Sequence, residues 1–142
     1  MQSCINEKHL DKLVTIANPL DINPGADDED HARMAELMLK DEGINAVVIG
    51  LDPHSPVTHT LAETEAEAFR MDAPGGILER LSAVRDRFRK PLVAVVDGGA
   101  QFEPFRKALR ERNIPVFPVC DRAIATLSLY IEARLRVRFP HA

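Results

Sequence analysis

The chain has 142 residues, 45% of them apolar and 28% charged, and carries a net charge of −4 at neutral pH. That is enough for one compact domain with its own core. The negative balance removes the electrostatic basis for binding nucleic acid or an anionic membrane.

Trp is absent, and six Phe with one Tyr are the only aromatics, so the core must be mostly aliphatic. Cys4 and Cys120 lie far apart in the chain and read as ordinary reduced thiols rather than a metal pair. No apolar run approaches the ~20 residues of a membrane span. The first ten residues hold no apolar signal-peptide core, so a cytoplasmic protein is expected.

The opening residues are polar, with a short helix expected over 7–12. Residues 13–17 (LVTIA) read as a first strand. It runs into a loop over 18–25 that holds Asn18, Pro19, Asp21, Pro24 and Gly25. Asp27, Asp28, Glu29 and Asp30 suit the first turn of a helix, where carboxylates oppose the dipole and cap free amides. A Mg²⁺ or Ca²⁺ site is the rival reading of that cluster. The helix continues through Met34, Ala35, Met38 and Leu39 and stops near Gly43. Residues 44–50 (INAVVIG) form a second buried strand.

Residues 51–76 are long and irregular, opening with Asp52, Pro53, His54 and Ser55. A short acidic helix is expected within them, over 61–69. Connections of this length are usually functional loops. Ile77, Leu78, Leu81, Val84 and Phe88 then mark an amphipathic helix, ended by Pro91. Residues 92–96 (LVAVV) are apolar without alternation, the pattern of a strand buried on both faces. Asp97, Gly98 and Gly99 break it. Phe102, Phe105 and Leu109 place a helix over 102–112, with Pro104 tolerated in its first turn. Residues 114–118 read as a short strand whose two prolines suit a sheet edge. Asp121 is an N-cap for the last helix, with Ile124, Leu127, Ile131 and Leu135 as its core face. The arginine-rich end, 134–138, reads as a solvated helix terminus.

Strand and helix signals alternate four times, without a fixed repeat or a shift in composition. This argues for one domain over 1–142: an α/β, doubly wound parallel sheet of about four strands with helices on both faces. Residues 44–50 and 92–97 should be its central strands. Ligands of such sheets gather at the carboxyl ends of the strands, where amides at loops and helix starts are free.

Three segments resemble a known family. Asn18-Pro19-Leu20-Asp21-Ile22 before an acidic helix start is similar to the N-P-[VL]-D-[LI] motif of NDP-forming acyl-CoA synthetases. Residues 90–99, from Lys90-Pro91 to Gly98-Gly99, resemble their K-P…G-G strand. Asn113-Ile114-Pro115-Val116-Phe117 followed by Asp121-Arg122-Ala123-Ile124 resembles their G-I-P-V-[FY]…[DE]-R-A ending, with Asn113 where the family has glycine. Residues 18–50 are also similar to the C-terminal domain of succinyl-CoA synthetase β subunits. The resemblance covers about residues 13–135.

It implies a flavodoxin-like ligase-CoA domain. The family interconverts acid, CoA and NTP with acyl-CoA, NDP and phosphate through an acyl phosphate and a phosphorylated histidine. It also implies that CoA and the Mg-nucleotide are held by partner Rossmann and ATP-grasp domains, with no cofactor bound here. The family's S-H-T-G phosphohistidine segment has no full counterpart, since Thr58-His59-Thr60 is not followed by glycine. An extra first strand with its glycine-rich turn is also missing. The isolated chain is therefore expected to be inactive, a piece or subunit of a larger enzyme.

Candidate substrate-binding residues lie in three strand-end loops: Asn18, Asp21 and Gly25; Asp52, His54 and Ser55; Gly98 and Gly99. No catalytic residue and no metal ligand is assigned. The alternative is a non-catalytic interaction or homo-oligomerisation module of the same fold.

Overall fold

The acidic run ahead of Met34 starts a helix. In the computed structural model, which describes residues 17–22, 25–65 and 69–138, Asp27 caps α1 (Asp28–Lys40). Its side chain accepts the Asp30 amide at 2.9 Å, and the Asp30 carboxylate accepts the Asp27 amide at 3.4 Å. This reciprocal box satisfies donors that a helix start leaves free. Then follow β1 (Val47–Leu51), α2 (Ile77–Arg87), β2 (Leu92–Val96), a 3₁₀ turn (Ala100–Phe102), α3 (Glu103–Glu111), β3 (Val116–Phe117) and α4 (Cys120–Arg138).

The strands form one parallel sheet in the order β1-β2-β3. Val47 stands opposite Leu92 and Leu51 opposite Val96, while Ala94 stands opposite Val116. All five β2 residues are buried, as their unbroken apolar run requires. Among the described residues proline-flanked β3 pairs with β2 alone. β1 starts at Val47, three residues into the expected strand, and extends to Leu51. Of the further strand expected at 13–17, only Ala17 is among the described residues, and it is exposed.

Side chains alternate across the sheet. On one face Val47, Ile49, Leu51, Leu92, Ala94 and Val96 join α1, α2 and α3 in a single core. Leu39, Ile77, Leu81, Phe105 and Leu109 are among its most enclosed members. On the other face Val93 and Val95 pack with Ala123 of α4, flanked by Val48, Phe117 and Leu127. The result is an α/β open parallel sheet with helices on both faces, consistent with a flavodoxin-like arrangement. The two faces are unequal. Three helices cover the first, and among the described residues α4 alone covers the second.

Two expectations are corrected. Residues 61–65 form a bridge and bends rather than the first half of the expected acidic helix, while Phe69 at its other end has 3₁₀ geometry. Leu61 instead bridges to Arg70 in parallel, and its carbonyl accepts the Met71 amide at 2.9 Å; residues 66–68 lie outside the described set. Leu61 and Phe69 both remain exposed.

The second correction concerns α4. Of its predicted core stripe only Leu127 is partly covered, while Ile124, Ile131 and Leu135 are exposed. A 19-residue helix outruns the short strands beneath it. Asp121 lies inside the first turn of α4, not at a cap before it. Among the described residues no helix is long and apolar enough to cross a membrane.

Candidate functional site

The loop after β1 is built around its own side chains. Asp52 Oδ1 accepts the His54 amide at 2.9 Å, an Asx turn that replaces a helical or strand partner for that donor. Thr58 Oγ1 donates to the Asp52 carbonyl at 3.0 Å, and buried Thr60 Oγ1 donates to the Pro53 carbonyl at 2.9 Å. Pro53 is buried while Asp52 and His54 point outward. The Thr58-His59-Thr60 segment thus closes the loop from behind.

The loop after β2 meets it. A Cβ added to Gly98 would lie 2.6 Å from Phe102 Cδ2 and 3.1 Å from Pro53 Cγ, so close approach demands glycine there. The His54 ring stands edge-on to Phe102, with centroids 4.9 Å apart. Beneath the turn, buried Arg106 donates to the carbonyls of Val96 at 3.1 Å, Gly98 at 3.4 Å and Gly99 at 3.1 Å. Its Nε donates to Glu103 at 2.8 Å. Arg106 was not singled out from sequence; its position next to Phe105 and three residues after Glu103 is the only signal.

A cleft of about 460 Å³ opens at the same rim. Leu20, Ile22 and Ala26 supply its apolar wall, Asp21, His31, Asp52 and Ser55 its polar groups, and Gly50 also lines it. The structure therefore brings Asp21, Asp52 and Ser55 together. Asn18, Gly25, His54, Gly98 and Gly99 do not line it. His54 leans instead on Phe102, and Gly98 serves the contact between loops.

His31 was missed by sequence reading because it sits within the acidic helix start. Its Nδ1 lies 2.8 Å from the Asp27 carbonyl. A carbonyl only accepts, so in this contact Nδ1 carries the proton.

Among the described residues the lining holds two carboxylates and no lysine or arginine. Carboxylates disfavour a bare carboxylate or phosphate placed beside them. The lining suits hydroxyl, amine or amide donors, and any anionic group brought here needs counter-charge from elsewhere.

The acidic cluster is accounted for by structure. Asp27 and Asp30 form the capping box. Glu29 reaches Arg80 at 3.4 Å. Asp28 is buried and acts as a staple. It accepts the amides of His59 at 3.1 Å and Ile77 at 3.0 Å, and pairs with His59 Nδ1. It thereby ties α1, the long connection and the start of α2 together. The His59 ring stacks on Phe69, with centroids 5.8 Å apart. Among the described residues no three His, Cys, Asp or Glu side chains gather as a metal site.

The perturbed carboxyls lie away from the cleft. Lys40 holds Glu36 below its ordinary range, aided by Arg87; Arg106 does so for Glu103, and Arg70 for Asp72.

A parallel sheet whose connecting loops meet at the carboxyl ends of its strands belongs to the open, flavodoxin-like class of α/β proteins. Within that class the chain is similar in fold to PH0766 from Pyrococcus horikoshii OT3, with 20% sequence identity and a TM-score of 0.59. The match covers 82% of this chain and 25% of that one, so this chain spans about a quarter of its neighbour's length. At that identity the likeness is one of fold alone. No protein-family model and no curated protein matches the sequence.

Proposed function

We propose that the chain is the flavodoxin-like domain or subunit of an NDP-forming acyl-CoA synthetase. It forms one wall of the site where acid and phosphohistidine meet and is inactive alone. The observation that carries the reading is convergence. The loop bearing Asp21 and the loop bearing Asp52 and Ser55 share one cleft. The Gly98 turn packs against Pro53 of that second loop.

The acidic lining supports a wall rather than a complete cradle. CoA, the Mg-nucleotide and the cationic groups that hold the acid would come from Rossmann and ATP-grasp partners. The test is reconstitution with the products of neighbouring genes, followed by ADP-dependent acyl-CoA cleavage. Stimulation on adding this chain is expected, and equal rates with and without it reject the reading.

A second reading is an interaction or oligomerisation module. It is favoured by the exposed apolar residues along α4. A stable self-associated species that ignores acyl-CoA, CoA and nucleotide in light scattering would select it over the first.

A further inference from the structure

We propose that Asp28 and His59 are positioning residues that set the width of the rim cleft. The proposal rests on the reading of that cleft as one wall of a functional site. One side of the cleft is the start of α1, with Ala26 and His31. Another is the loop after β1, with Asp52 and Ser55.

Asp28 lies in the first turn of α1, three residues before His31. Anchor and cleft wall therefore share one rigid element. Asp28 is buried, and a buried carboxylate needs donors around it. Its Oδ1 accepts the His59 amide at 3.1 Å. Its Oδ2 accepts the Ile77 amide at 3.0 Å and pairs with His59 Nδ1. His59 is thus held twice, by its backbone and by its ring.

The residues on either side of His59 carry this hold to the cleft. Thr58 and Thr60 are both buried, so their hydroxyls must find partners within the protein. Thr58 Oγ1 shares its proton between the Asp52 carbonyl, at 3.0 Å, and the Ser55 carbonyl, at 3.3 Å. Thr60 Oγ1 donates to the Pro53 carbonyl at 2.9 Å. Both cleft-lining residues of the loop are gripped through their own main chain.

The loop's remaining hydrogen bonds near the cleft are local. Asp52 Oδ1 accepts the His54 amide at 2.9 Å, and the Ser55 amide donates to the Asp52 carbonyl at 3.3 Å. Such short-range bonds fix the shape of a turn, not its distance from a helix. Contact with the Gly98 turn places the loop on the β2 side. The hydrogen-bonded link to α1 runs from Asp28 through His59.

The test compares His59→Leu, which removes the ring donor, with His59→Asn, which keeps a side-chain N–H near the place of Nδ1. Both lose the stack on Phe69, so the comparison isolates the donor. Thr60→Val removes the last hydroxyl of the link and leaves Asp28 with its donors, so it carries the comparison should His59→Leu not fold. Backbone NMR of the full chain reads amide shifts and hydrogen exchange. In His59→Leu the His31, His54 and Ser55 amides should shift. The Ser55 and Thr58 amides should exchange tenfold or more faster, beyond any change in Leu92–Val96. Thr60→Val should loosen the same loop, and His59→Asn should restore most of its protection.

A purely structural pair would lower protection everywhere alike and leave the native cleft shifts in place. That result overturns the proposal, as does equal behaviour of His59→Leu and His59→Asn, or a Thr60→Val loop as protected as wild type. In reconstituted acyl-CoA cleavage, His59→Leu should stimulate several-fold less than His59→Asn. Loop effects as expected, with no stimulation even by the wild-type chain, reject the ligase reading and support the link.

Discussion

Gly98 and Gly99 look equivalent in sequence but are held by different constraints. The Cβ of Gly98→Ala would strike the Phe102 ring and press on Pro53, both fixed in the loop contact, whereas Gly99→Ala meets only the movable end of Gln101. The first change should cost about 1–3 kcal/mol by overpacking. The second should stay within about 0.5–1 kcal/mol, as surface changes do. Urea unfolding of the two variants checks this, and equal costs would mean the loops do not touch as described.

Asp28 poses a similar contrast with its acidic neighbours. Asp28→Ala leaves the His59 and Ile77 amides without their partner. It should cost about 2–4 kcal/mol, since each buried donor left unpaired carries about 1–3 kcal/mol. Glu29→Ala, which loses one exposed pair to Arg80, should cost under about 1 kcal/mol. Denaturant midpoints separate a staple from a solvated charge.

Between elements, the seam of α1 and α2 is tied at its edge by Glu36, which meets Lys40 at 2.9 Å and Arg87 at 2.5 Å. Lys40 first, then Arg87, lower the Glu36 pKa from the usual 4.5. A carboxyl depressed on folding adds stability that is present above its unfolded pKa and lost as pH falls through the folded one. Both cations are largely exposed, so screening keeps the effect small. Glu36→Gln should cost about 0.5 kcal/mol at neutral pH. The gap to wild type should close as pH falls below 4.5, as followed by thermal melts across an acid series. A gap that widens on acidification would show that the pair does not act through charge.

At the scale of the molecule, protection should follow the unequal covering of the sheet. Amide hydrogens of the central strand, Leu92–Val96, are enclosed on both faces and should exchange only on global unfolding. In dilute monomer the far half of α4, exposed from Ser128 onward, should exchange orders of magnitude faster. Mass spectrometry of exchanged peptides reads both. Protection of the α4 end that grows with protein concentration would select the oligomerisation reading.

Local chemistry sufficed for much of this. The unalternating run of β2, the acidic start of α1, the period of α2 and α3 and the proline-bounded β3 were all legible, because each depends on neighbours within a few positions of the chain. The parallel sheet also followed, since alternating strands and helices leave few other ways to bury both.

What sequence could not supply were relations across long separations. The pairing of Asp28 with His59 and Ile77 spans dozens of residues, as does the contact of Pro53 with Gly98. The entry of His31 into the cleft beside Asp52 and the turning of His54 onto Phe102 are of the same kind. α4 shows the limit most plainly. Its 3.6-residue stripe announces a buried face, but periodicity specifies only that a face is apolar. Whether anything lies against it depends on how far the sheet extends beneath the helix, and only the tertiary structure decides that.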